Sequence, residues 1–336
     1  MITVVIPTIG RATLPATLAA VGPGLPVIVV DDRKGAPAPL GLPDRVRVVR
    51  SGGRGPAAAR NAGWRAADTP WVVFLDDDVL PRPGWAEALW KDLVDLPDDV
   101  GGSQGRVVVP LPAGRPPTDA ERNTAGLAGA LWVTADMAYR RAALEASRGF
   151  DERFPRAYRE DADLALRMTR AGWRLVRGGR VTEHPVRADG FWASVRFQRG
   201  NADDALMRRL HGPAWRAAIG GAPGRLRTHA ATTAAGLAAL LLTTAAPPVL
   251  AWRRPVWRRS HVSARPLGPA PAARVVPVPA VVAGGVWAVL TAEFAWRRIA
   301  PGPRNPAEVL RMAVTSVLIP PVAVAYRLRG EWKVRR

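Results

Sequence analysis

The fold class predicted by this sequence of 336 residues is α/β: a doubly wound, mostly parallel sheet flanked by helices, followed by an apolar, arginine-rich helical region. Three observations predict it. Strand-like and helix-like runs alternate through the first 90 residues, two of the strand runs end in aspartates, and past residue 204 both charge and apolar texture change character.

Taken in order, Ile2 to Ile6 is a β-branched run ended by Pro7, and Val27 to Val30 is another, ended by Asp31 and Asp32. Val46 to Val49 is a third, and Trp71 to Leu75 a fourth, ended by Asp76, Asp77 and Asp78. Their unbroken apolar character suits strands buried on both faces. Helical stretches lie between them, notably Pro56 to Ala67 and Trp85 to Leu96. In an open sheet wound this way ligands gather beyond the carboxyl ends of the strands, which is where the aspartates fall. Val109 to Pro117 is proline-rich turn or loop, and regular structure resumes over Gly126 to Ala143. A turn at Gly149 to Pro155 then precedes a helix from about Glu160, with Leu164, Met168 and Ala171 at helical spacing. Carboxylates fill its first turn, where the helix dipole favours them.

At 48% hydrophobic and 23% charged, the composition is globular and excludes disordered, collagen-like and small disulfide-rich classes. No cysteine occurs, which removes disulfides, thiolate metal ligands and a cysteine nucleophile. The opening MITVVIPTIGR has no basic residue before its apolar run and no small-residue cleavage pattern, so it reads as a first strand rather than a secretory signal.

Charge divides the chain. From residue 205 onward 20 basic residues face 3 acidic ones, against 28 and 25 before it, giving +17 after the boundary and +3 ahead of it. The expected domains are therefore residues 1–204 and residues 205–336. Within the second, Ala230 to Trp252 has no charge in 23 positions, Val275 to Ala292 none in 18 and Met312 to Tyr326 none in 15. About twenty apolar residues span a bilayer, so the first run is the best spanning candidate, the second borderline and the third short. A spanning hairpin would put Arg253, Arg254, Arg258, Arg259, Arg265 and Arg274 outside, against the positive-inside bias. Shallow insertion with those arginines at anionic headgroups removes the conflict. The expectation is attachment to an anionic membrane surface at the cytoplasmic face, with a helical packing domain in solution as the alternative.

Three motifs carry chemistry. In VVFLDDDVLP, Asp76 and Asp78 could present oxygens to Mg²⁺ or Mn²⁺, which would offset the repulsion of three adjacent carboxylates; a solvated acidic turn is the bland reading. In VIVVDDRK, a strand-end carboxylate can accept hydrogen bonds from a base or a ribose, although an Asp-rich turn looks the same. In GGRGPAAARNAGW, glycines permit close backbone approach, Arg60 could pair with a phosphate or base, and Asn61 could cap or bind. Neither GxxxxGK[ST] nor GxGxxG occurs, which sets aside P-loop and dehydrogenase readings.

These pieces, VVIPTIGR, VIVVDDR, GPAAARNAGW, FLDDDVLP, TADMAYRRAAL followed by GFDERFP, and REDADLALR, stand in the order of family-two inverting glycosyltransferases of the GT-A fold, which residues 1–200 resemble. The resemblance implies roles by position. Asp32 is similar to the base-binding aspartate, with Pro7, Thr8 and Asp31 lining that site, Arg60 and Asn61 adjoining it, and Asp77 on the donor side. Asp76 and Asp78 resemble the DxD pair that holds Mg²⁺ or Mn²⁺. His184, in TEHPVR, stands where a histidine near the metal is often found. Asp161 resembles the catalytic base, with Glu160 and Asp163 as competitors that spacing does not separate. Trp132, Thr134 and Asp136 occupy the stretch that lines the acceptor side.

The chemistry asks for these residue types. A cation bridging the diphosphate stabilises the charge that develops on departure, and inversion needs a carboxylate to take the acceptor proton. The processive motif QxxRW is absent, since Gln198 is followed by Arg199, Gly200, Asn201 and Ala202, which favours single transfer. The resulting expectation is a metal-dependent transferase moving a sugar from a nucleotide-sugar donor to a hydroxyl acceptor, a lipid-linked or cell-envelope glycan precursor or a secondary metabolite. Transfer to polyprenyl phosphate is the alternative among enzymes. A catalytically inactive basic scaffold or nucleic-acid binder is the alternative outside them, disfavoured because the arginines flank apolar runs instead of forming a continuous basic face with interleaved aromatics.

Overall fold

The four apolar runs form strands β1 (Ile2–Thr8), β2 (Val27–Asp31), β3 (Val46–Arg50) and β4 (Trp71–Leu75), which pair in parallel in the order β3-β2-β1-β4. The computed structural model describes residues 1–35, 37–187, 190–245 and 276–335. Pro7 does not end the first strand. The ladder with β4 stops at Val5, so the missing N–H of Pro7 falls where only β2 is alongside, and β1 continues to Thr8.

Past β4 the sheet changes character. Strands β5 (Leu80–Pro81), β6 (Val100–Val108), β7 (Asp136–Arg140) and β8 (Arg174–Glu183) complete the order β3-β2-β1-β4-β7-β6-β8-β5. β7 runs antiparallel to both β4 and β6, β5 antiparallel to β8, and β8 parallel to β6, so the sheet is mixed rather than mostly parallel in this half.

Helices cover both faces. α1 (Leu14–Val21) and α3 (Trp85–Leu93) pack on one, burying Leu14, Leu18 and Leu89 against Val4, Ile6 and Val73. α2 (Pro56–Arg65) covers the other, burying Ala57 and Trp64 against Val5, Val30 and Phe74. This two-sided cover is why β1, β2 and β4 read as continuous apolar runs; the expectation of burial on both faces fails for edge strand β3, where Arg47, Val48 and Arg50 are exposed. Gly63 lets α2 sit directly on the sheet, since a Cβ there would run into Val5 and Val30. Two short helices follow, α4 (Asp119–Ala125), closed by a capping box of Thr118 and Glu121, and α5 (Arg141–Ala146). α6 (Glu160–Arg170) buries Leu164 and Met168 in the α2 core, as its spacing predicts.

The remaining helices are α7 (Ala193–Arg196), α8 (Gly200–His211), α9 (Trp215–Ala218), α10 (Leu226–Ala245), α11 (Val278–Ile299) and α12 (Pro306–Arg335). The boundary expected between residues 204 and 205 falls inside α8, which is continuous across it. Leu206, Met207 and Trp215 share a core with Phe154, Ala162 and Leu166, so α8 and α9 are built into the α/β domain despite the change in composition.

Buried Arg298 of α11 joins the last helices to that domain. Its guanidinium donates to Thr315 Oγ1 (2.8 Å) and Ser316 Oγ (3.0 Å) of α12, to Asp119 Oδ2 (2.8 Å) of α4 and to Ser194 Oγ (2.9 Å) of α7. Met312, Ile319 and Ala323 are buried, while many other apolar side chains of this region face outward, with Val278 75%, Val289 68% and Leu241 64% exposed. Among the described residues α11 and α12 are long and apolar enough to cross a membrane. The third run, short by its uncharged residues alone, lies within a 30-residue helix. Residues 246–252 of the first run, and the six arginines from Arg253 to Arg274, lie outside the described residues.

Candidate active site

The turn after β4 sets the site. Asp77 points back into the domain, accepting from Thr8 Oγ1 at 2.6 Å and from Arg11 Nε at 3.1 Å, and burial pushes its carboxyl above the usual carboxylate range. Thr17 of α1 donates to the Val79 carbonyl at 2.8 Å and pins the turn from behind. Asp76 and Asp78, one residue to either side, meet His184 just past β8, with one ligand atom from each residue within 4.8 Å of the others. His184 Nδ1 lies 3.1 Å from the Pro185 carbonyl. A carbonyl only accepts, so Nδ1 is the donor in this contact and Nε2 is the ring nitrogen left to face a cation. Asp78 Oδ2 pairs with Arg187, while its Oδ1 is buried with no partner among the described residues.

Arg60, 2% exposed on α2, ties this cluster to α6: its Nη2 donates to Asp76 Oδ1 at 2.9 Å and its Nη1 to Glu160 Oε1 at 2.7 Å. The residue before α6, Arg159, has φ of 79°, a left-handed conformation that is costly for a side chain of this size. Its guanidinium holds the turn, donating to Asp204 Oδ1 at 2.9 Å and stacking 4.2 Å from the Tyr158 ring and 4.8 Å from that of Trp215. That turn sets Glu160 and Asp161 in the wall of a cavity of about 1110 Å³, together with Asp76, His184, Arg187 and Thr134.

One guanidinium cannot neutralise three carboxylates out of water. Burial and the neighbouring Asp161 push Glu160 up to about 8, and burial raises Asp161 as well. Glu160 Oε2 has no partner among the described residues. Asp163, the third acid that spacing left open, is set aside: fully buried, it accepts from Arg167 Nε and His211 Nε2, both at 2.8 Å.

At the ends of β1 and β2 the expected nucleotide-side residues come together. Asp32 accepts from Ser51 Oγ (2.6 Å) and from the Gly55 N–H (2.9 Å), where φ of 100° suits glycine. The Asp32 N–H donates to the Thr8 carbonyl at 2.8 Å, next to Pro7. Asp31 is gripped by Arg33 through Nε and Nη2, both at 2.8 Å, which holds its carboxyl below the usual range.

Three expectations are corrected. Asn61 has no hydrogen bond left to offer a ligand, because its four positions are spent: Nδ2 donates to the Phe150 carbonyl and Glu152, and Oδ1 accepts from the Phe150 N–H and Trp64 Nε1, each at 2.9 Å. Asp136 does not face an acceptor. It is 0% exposed and accepts from Arg180 Nε (2.7 Å), Thr182 Oγ1 (2.6 Å) and Trp85 Nε1 (2.8 Å). Trp132, at φ of 64°, packs on the α2-side core and leaves the cavity wall to Val133 and Thr134. Sequence reasoning passed over Arg187, three residues after His184 in the same quoted motif, and Arg159, whose strained turn no local pattern announces.

Residues 3–144 match the family described as Glycosyl transferase family 2. A stretch of 99 residues is 41% identical to a pre-mycofactocin glycosyltransferase of Mycobacterium tuberculosis, covering 28% of this chain and 21% of that protein. The match thus spans about a fifth of the curated relative. Among solved structures, a mannosyltransferase from Pyrobaculum calidifontis in complex with GDP-Man and Mn²⁺ superimposes with a TM-score of 0.51 at 18% identity, over 99% of this chain and 87% of that one. At that identity the likeness is one of fold.

Proposed function

We propose, from the match of residues 3–144 to the family described as Glycosyl transferase family 2, that the protein moves a sugar, with inversion and in single transfers, from a nucleotide-sugar donor to an acceptor hydroxyl. The observation that carries the proposal is the meeting of Asp76, Asp78 and His184 at a cavity whose wall also carries buried Glu160 and half-buried Asp161.

The residues fit a divalent cation. Two carboxylates and an imidazole with a free Nε2 make a donor set suited to Mn²⁺ or Mg²⁺, and the buried, partnerless Oδ1 of Asp78 is an acceptor waiting for a donor or an ion. A cation held by Asp76, Asp78 and His184 would supply charge stabilisation to the departing diphosphate. The mannosyltransferase solved with GDP-Man and Mn²⁺ supports this choice. Asp32, Asp31, Pro7 and Thr8 line the nucleotide side.

Asp161 takes the proton. The acceptor oxygen bonds to the anomeric carbon, the carbon–oxygen bond to the diphosphate breaks with its electron pair leaving on the nucleoside diphosphate, and the hydroxyl proton passes to Asp161. A carboxylate raised by burial is a stronger base than one in water. Arg60 keeps Asp76 and Glu160 in register, so the rim and the base wall act as one unit. The missing QxxRW supports single transfer, and the exposed apolar faces of α10 and α11 support attachment to a membrane; that the attachment is at the cytoplasmic face is part of the proposal.

Calorimetry tests the rim. Nucleoside diphosphate and sugar nucleotide should bind wild-type protein in the presence of Mn²⁺, and Asp78→Ala should abolish the Mn²⁺-dependent part. Donor affinity indifferent to both Mn²⁺ and the substitution would defeat the proposal.

A further inference from the structure

Helix α12 passes for a membrane span by length and composition, yet one of its faces follows the α/β domain from end to end. Near its start, Glu308 Oε1 accepts from the Asp119 N–H of α4 at 3.1 Å, and Thr315 and Ser316 accept from Arg298, which also reaches Ser194 of α7. Further along, Ile319 lines a cavity of about 350 Å³ with Ala193 and Phe197, and Arg327 lines the catalytic cavity. Near the end, Gly330 lies so close to α8 that a Cβ there would come 2.6 Å from the Ala202 carbonyl oxygen, and Val334 packs on the core of Leu206, Met207 and Trp215.

These contacts run over residues 308–334, about 40 Å of helix, which exceeds the roughly 30 Å of hydrocarbon in a bilayer. Were α12 to cross, α4, α7 and α8 would enter the lipid with it. α8 alone carries Asp203, Asp204, Arg208 and Arg209, a set too costly to bring into hydrocarbon.

The other face is an apolar stripe. Leu310, Val314, Val317, Pro321, Leu328 and Trp332 recur at spacings of three, four or seven, which keeps them on one side of a helix. Leu310 is 60% exposed and Leu328 64%. Exposed Arg304 precedes the helix, and exposed Arg329, Lys333 and Arg335 flank the stripe near its far end. α10 and α11, with apolar faces of their own, pack against α12 and extend the same apolar surface.

We propose that α12 lies in the plane of an anionic membrane surface, holding the α/β domain with its inner face and setting its outer stripe into the shallow layer between headgroups and acyl chains. The inference rests on the membrane attachment read from α10 and α11, and goes beyond it by assigning the face through which the catalytic domain meets lipid. Cations beside an apolar stripe suit anionic headgroups above an apolar layer. A second copy of the chain fits less well, since it would bring one net-basic helix against another.

The chain has no cysteine, so an introduced one carries a fluorophore at a single known position. Leu310→Cys, Val317→Cys and Leu328→Cys in the full chain, each labelled with a nitrobenzoxadiazole maleimide and checked for a wild-type Tm, are bound to phosphatidylcholine–phosphatidylglycerol vesicles whose lipids are brominated either shallow or deep along the acyl chain. The expected result is quenching at all three positions, at each more strongly by shallow than by deep bromines. A helix that crosses instead gives Leu310 and Leu328 shallow and Val317 deep, and that pattern overturns the proposal. Absence of quenching at all three positions, while the chain floats with the vesicles, also overturns it and gives the stripe to a protein contact. Failure of the wild-type chain to float with vesicles defeats the membrane attachment and this inference together, and leaves sugar transfer to be judged by the nucleotide calorimetry.

Discussion

The two ends of one cavity are built on opposite principles. At the catalytic end every charge leans on another: Arg60 is shared between Asp76 and Glu160, Asp161 accepts from its own helix at Ala162, and Asp78 is paired with Arg187. At the far end Arg199, Arg208 and Arg227 stand among paired neighbours without partners of their own among the described residues. The first arrangement fixes geometry before a ligand arrives. The second leaves exposed guanidinium groups to be solvated by water, so one end is held by its own ion pairs and the other by none at these three positions.

The difference can be broken at several points. The largest effect is expected from Asp161→Asn, which keeps the shape of the site and removes the base: transfer should fall by about 10²- to 10⁴-fold while donor binding holds. Normal turnover in that variant, followed by release of nucleoside diphosphate, would move the base to Glu160. Next comes Arg60→Met. Removing the buried cation leaves Asp76, Glu160 and Asp161 to repel one another, and chemical denaturation should show a loss of about 3–5 kcal/mol. A loss within experimental scatter would mean that the three acids already share protons enough to need no cation.

The pH dependence sharpens the same point. Burial raises Glu160 from its ordinary value of 4.5 to about 8, so the folded protein binds more protons than the unfolded chain between those limits. Stability contributed by this group is present below pH 4.5 and is lost as pH rises through about 8, whereas transfer should gain over the same span as the acid pair gives up its proton. Opposite slopes of Tm and kcat across the neutral range are the expected signature, and parallel slopes would contradict it. The arginine end should give the smallest effect: Arg208→Gln should change stability by no more than about 0.5 kcal/mol, because an exposed side chain without a partner loses no contact. A large drop in Tm there would show that the wall is structural.

What could be read from sequence follows who satisfies whom. Strands β1, β2 and β4 were legible because both faces of each are covered, which leaves a nearly continuous apolar run; edge strand β3, interrupted by Arg47 and with Val48 exposed, was legible from its β-branched residues alone. Strand β6 was not, since Ser103 and Gln104 interrupt it: the Ser103 hydroxyl accepts from Arg180 at 3.2 Å and Gln104 donates to the Ala130 carbonyl at 3.0 Å. Asp76, Asp78 and His184 were legible as a motif in order. Asn61 and Asp136 looked the same on paper and proved to be braces, their partners lying 89 and 44 residues away in the chain. No local pattern tells a carboxylate that waits for a ligand from one already paired with an arginine from another strand.

The sequence by itself determined the doubly wound start of the sheet, the acidic rim, the charged first turn of α6 and the contrast between the two parts of the chain, because each is written in neighbours a few residues apart. Only the tertiary structure decided that Asp163 is spent on His211, that α8 belongs to the first domain, and that arginines from α8, α9 and α10 face the same space as Asp161. The physical reason is that polar groups out of water must be paired, and the pairing is made by chain crossings that separation along the sequence does not encode.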